Sequence, residues 1–127
     1  MSKWEEHRVG EAVLQVLGAV RDTSGGHRLG VPFLTAYQIA IEVSMREPEM
    51  LSALEKDLGG AGTGVHHSLA QYLGRELSQR HVDMGIEGAF LSNRHIEVLE
   101  FFGGESSVKS SVVGDAGTIS MFRIPKK

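Results

Sequence analysis

The hydrophobic pattern of this chain changes period once, between Arg80 and Ile86, and that change limits the folds open to it. Before it, apolar residues recur at three- and four-residue steps, the spacing of one helix face. Val9, Val13, Val16, Leu17 and Val20 form the first such stripe, and Leu69, Tyr72, Leu73 and Leu77 form the last. After it, short apolar and β-branched runs at 86–91, 96–102, 106–113 and 118–124 read as strands separated by glycine-rich turns. Helices first and strands last specify an α+β domain with a small antiparallel sheet. At 127 residues, 41% of them hydrophobic, the chain is long enough for one domain with its own core.

Helix starts are marked by one device used three times. A Ser or Thr side chain can accept the N–H three residues on, while a Glu or Gln there reaches back. Ser2 with Glu5, Thr35 with Gln38, and Ser68 with Gln71 have this spacing. They open helices over 2–23, 35–46 and 68–80, with Trp4 extending the stripe of the first or lying at its edge. Leu34 and Ile39 add a hydrophobic staple to the second. Pro48 suits the first position of a further helix over 48–58, with Gly59 as its C-terminal cap.

Composition removes several functions. Without cysteine there is no disulfide, zinc finger, iron–sulfur cluster or thiol chemistry. No apolar run approaches the ~18 residues that span a bilayer, and no leader-like segment stands ahead of the first helix, so a cytoplasmic location without membrane contact is expected. No Gly-x-Ser-x-Gly elbow or other activated nucleophile is visible, and no enzyme activity is expected. His66, His67 and His81 lack metal-ligand spacing, so neither a metal nor another cofactor is expected.

The chemically most distinctive stretch is Gly59-Gly60-Ala61-Gly62-Thr63-Gly64, which leads into the helix over 68–80. Such a loop can present backbone N–H groups to a phosphate. It lacks the Gly-Lys-Ser/Thr ending of a nucleotide-binding loop. It therefore reads first as a connector and second as a contact for a nucleic-acid backbone.

Helices over 35–46, 48–58 and 68–80 followed by strands are similar in order to a winged helix-turn-helix domain, which residues 33–124 resemble in outline. The resemblance implies a DNA-binding module, possible in transcriptional regulation, with 68–80 as recognition helix and 96–124 as sheet and wing. Residues 1–23 would be an added helix for dimerisation, and the partners would be DNA and a second copy of the chain in a homodimer. Gln71, Arg75, Ser78 and Gln79 would meet base edges. Thr63, Gly64, His66, His67 and Ser68 would meet phosphates, and Lys109 would serve the wing. The formal net charge of −3 favours an alternative. Glu42, Glu47, Glu49, Glu55 and Asp57 would then mark an interaction or assembly module that binds another protein.

Overall fold

The computed structural model describes residues 2–22, 29–56, 58, 68–104, 106–109 and 118–125. Its elements are α1 (Lys3–Glu6), α2 (Val9–Gly18), β1 (Leu34–Thr35), α3 (Ala36–Arg46), α4 (Met50–Leu54), α5 (Leu69–Met84), β2 (Glu87–Ser92), β3 (Glu100–Gly103), β4 (Ser106–Lys109) and β5 (Thr118–Arg123). This is an α+β domain. β5 lies between β1 and β2, antiparallel to both, while β3 and β4 form a separate two-stranded ribbon. Among the described residues, no helix is long and apolar enough to cross a membrane.

The expected first helix is two helices. Helical steps of about 100° per residue would put Trp4 roughly 160° away from the valine stripe, facing water. The chain instead breaks at Arg8, which adopts a left-handed conformation with φ of 55°. α1 thereby turns Trp4 inward, where it is buried beside Tyr72 with ring centroids 6.1 Å apart. Gly10 makes room, since a Cβ there would lie 3.0 Å from the indole nitrogen. Val9, Val13, Val16 and Leu17 of α2 are buried in the intramolecular core. The stripe proposed as a dimer seam is consumed within the domain.

α3 begins as its sequence specifies. Thr35 Oγ1 accepts the Gln38 N–H at 3.2 Å, and Gln38 Oε1 accepts the Thr35 N–H at 2.7 Å. Ile39 of the staple is fully buried and Leu34 partly so. Tyr37 stacks on Phe101 of β3 at 5.3 Å. At Gly103 the β3 backbone lies against Ile41, where an added Cβ would come within 2.6 Å of the Ile41 side chain. The ribbon thus rests on α3.

The third expected helix is shorter than the segment 48–58. Pro48 lies in the turn before α4, and the helix stops at Leu54 because Glu55 turns left-handed with φ of 56°. The Lys56 N–H then donates to Leu51 O at 3.0 Å and the Glu55 N–H to Ser52 O at 3.1 Å. This paired arrangement satisfies the last carbonyls of a helix. Gly59, expected as the cap, lies outside the described residues. α5 runs four residues past the expected end at Arg80 and closes the same way on Gly85, with φ of 70°. The Ile86 N–H there donates to His81 O at 2.9 Å, and Ile86 is buried.

One arginine joins the sheet to the segment ahead of β1. Arg123 Nε and Nη2 both donate to Glu87 Oε1, at 3.0 and 2.7 Å. Its Nη1 donates to the carbonyls of Leu29 and Val31, and the guanidinium lies 4.3 Å from the Phe33 ring centroid.

The two left-handed caps make opposite predictions. Glu55→Gly relieves a conformation that costs a side-chain-bearing residue free energy, and should raise stability by up to about 1 kcal/mol. Gly85→Ala imposes that cost and should lower stability by about 1 kcal/mol. Urea denaturation checks both, as opposite shifts of the midpoint at unchanged slope.

Candidate nucleic-acid interface

α5 carries a polar row on the side away from the core. At about 100° per residue, Gln71, Arg75, Ser78 and Val82 fall within an arc of roughly 60°, and Gln79 flanks it. Leu69, Leu73 and Leu77 point the opposite way and are fully buried. Arg75, Ser78 and Gln79 are exposed, Gln71 is half-buried, and Val82 keeps 78% of its surface in water. Ser78 Oγ donates to Gly74 O at 2.6 Å. Gly74 allows α5 to sit close to the sheet, since a Cβ there would lie 3.0 Å from Ser120 Oγ.

Beside this row, two cations lie over one aromatic ring. Lys56 Nζ lies 5.0 Å from the Tyr72 ring centroid, and the Arg75 guanidinium carbon lies 6.0 Å from it. Burial holds the Lys56 ammonium below the usual lysine pKa, and repulsion from Arg75 and then Lys3 lowers it further. Burial, then the Glu76 carboxylate, pushes the Tyr72 hydroxyl up. Cations stacked on aromatic faces gain about 0.5–1 kcal/mol at exposed sites, so the cluster is held together despite its like charges.

Arg80 and Arg123 are turned to structure. Arg80 Nη2 donates to Glu76 Oε1 at 3.2 Å, the expected i,i+4 pair, and its guanidinium lies 4.9 Å from the Trp4 ring centroid. Arg123 braces the sheet as described. Cationic groups therefore do not collect along the whole of α5 but gather near its first two turns.

The structure corrects one proposed phosphate contact. Ser68 is fully buried, and its Oγ accepts the Gln71 N–H at 3.0 Å. It caps α5 from the inside. The neighbouring Ala70 N–H donates to Leu58 O at 3.1 Å. Two of the four N–H groups that a helix start leaves open are thus occupied, which weakens this terminus as an anion seat. Thr63, Gly64, His66 and His67, like the whole 59–67 segment, lie outside the described residues. Lys109 stands opposite Glu100 in the β3–β4 register, on the ribbon that rests on α3. The half-buried His81 has Nδ1 3.0 Å from Ser78 O. Among the described residues, no three His, Asp or Glu side chains gather as metal ligands.

Sequence reasoning missed Lys3, Lys56, Tyr72 and Val82. Lys56 follows an acidic stretch, and Lys3 is far away in sequence, so segment-by-segment charge counting hid both. Comparison of the chain with protein-family models, with curated proteins and with solved structures finds no match.

The cluster has a measurable signature. The folded chain holds the Lys56 proton less tightly than the unfolded chain, so between the lowered and the ordinary pKa the folded state gains stability as pH rises. Arg75→Gln should move the Lys56 titration upward, whereas Arg75→Lys, which keeps the charge, should leave it near the parent value. Carbon-13 NMR titration of the lysine side chains reads both.

Proposed function

We propose that this chain is a small DNA-binding module that lays α5 in the major groove. The observation that carries the reading is the exposure of Arg75 and Gln79 on a polar row beside the Lys3, Lys56 and Arg75 cluster. From Gln71 to Val82 the row extends about 16 Å along the helix axis, the length of roughly five base steps. Arg75 has the donors to grip a guanine edge with two hydrogen bonds, and Gln79 can do the same for adenine. Val82 offers an apolar surface to a thymine methyl. Lys3 and Lys56 supply charge for the flanking phosphates. Non-specific attraction is modest on this reading, because the formal net charge is −3.

The resemblance to winged helix-turn-helix domains supports the reading through element order alone. α3, α4 and α5 precede β2 to β5, with β1 ahead of α3, and β2 follows α5 directly. The ribbon expected as part of the wing instead packs on α3, so the contacts assigned here come from α5 and the cation cluster. Exposed Glu47, Glu49 and Glu55 favour the alternative, a module that binds a basic protein surface.

Fluorescence anisotropy with random and enriched duplexes at ~50 mM salt tests the proposal. Arg75→Ala should cost about 1–3 kcal/mol and relax preference at one position, while Lys56→Gln should weaken all sequences alike and reduce the salt slope by about 1. Absence of binding at that salt would refute the duplex reading. Purification with a defined protein and no nucleic acid would select the alternative.

A further inference from the structure

On the other side of the molecule, the end of α2, one face of α3 and strand β3 surround an open cleft of about 450 Å³. Small-molecule sites typically measure about 300–1,000 Å³. Leu34 and Ile41 contribute apolar surface, and Phe102 lines the cleft with 73% of its own surface in water. Large apolar side chains exposed at the margin of a cleft are an unfilled hydrophobic contact. The wall is firm, because β3 lies directly against Ile41 at Gly103.

The polar lining is a single row on α3. Gln38, Glu42 and Arg46 follow one another at four-residue steps. Gln38 Oε1 is held by the Thr35 N–H, which leaves its NH2 group for the cleft. Arg46 Nε donates to Glu42 Oε2 at 3.5 Å, and both side chains are more than two-fifths exposed. Water screens such an exposed pair, so a ligand can displace it at little cost. The cleft thus offers one carboxylate and one guanidinium, a helical turn apart, beside an apolar wall.

We infer that this cleft binds a free α-amino acid with a large apolar or aromatic side chain. The ammonium group pairs with Glu42 and the carboxylate with Arg46, while the side chain covers Phe102 and Leu34. A plain carboxylate would meet Glu42, and a plain amine would meet Arg46, so each would face a like charge. A zwitterion satisfies both groups at once. The site lies away from α5 and stands independently of the duplex reading.

The test is a titration of the full nitrogen-15-labelled chain with L-tryptophan, followed by NMR. The expected result is saturable shifts at residues 41–46 and 101–103 with a Kd below ~1 mM. Indole, tryptamine and indole-3-propionate should each bind about two- to fivefold more weakly, since each lacks one or both charges. Glu42→Gln and Arg46→Gln should show losses of the same size. The analogue series uses the parent chain and decides the matter even if a variant folds poorly. No saturation, shifts centred on Tyr72 and Arg75, indole binding as tightly as tryptophan, or full affinity in both folded variants would each overturn the assignment.

Discussion

Helix α3 buries six of its eleven residues over an arc of roughly 200°, and a helix with so wide an apolar face must be enclosed on most sides. Ala36, Tyr37, Ile39, Ala40, Ile41 and Val43 are all buried. α2 and α5 cover it from the helical side, and the β3–β4 ribbon covers it through Tyr37, Ile41 and Gly103. Gln38, Glu42, Ser44, Met45 and Arg46 escape complete cover. The cleft is the remainder of that enclosure, and the outward face of α5 is a second consequence. A helix whose leucines are all drawn toward α3 must turn its polar residues to water.

Much of this was readable from local pattern. The Thr35 and Gln38 pair named the start of α3, and the leucine spacing named the buried face of α5. The change of period placed the helices and the strands. What escaped the pattern was decided by tertiary needs. The break at Arg8 follows from the demand to bury Trp4, which no stripe count includes. The early end of α4 follows from Glu55 taking a conformation normally left to glycine. β1 has two residues, too few for any alternation to register. Nor does periodicity reveal partners, so β3 and β4 could not be recognised as a ribbon apart from the main sheet.

The candidate interface was legible in the same uneven way. Arg75 and Gln79 follow from helical geometry alone, and both are exposed. Ser68 was read both as the cap of this helix and as a phosphate contact; the cap forms, and it takes the side chain into the core. Lys3 and Lys56 are far apart in sequence, and only folding brings their charges within reach of each other. Arg80 and Arg123 show the reverse. Counted as surface charge in the sequence, they are turned toward Glu76 and Glu87.

Arg123 has a mechanical consequence. A guanidinium is flat and stiff, and its five donors keep fixed mutual directions. Here those donors grip a β2 carboxylate on one side and the carbonyls of Leu29 and Val31 on the other. Neither element can slide without rupturing a bond to the other. The alignment of β2 on β5 is therefore clamped at one cross-strand pair, Glu87 opposite Arg123, and the same guanidinium tethers the segment leading to β1 to the sheet.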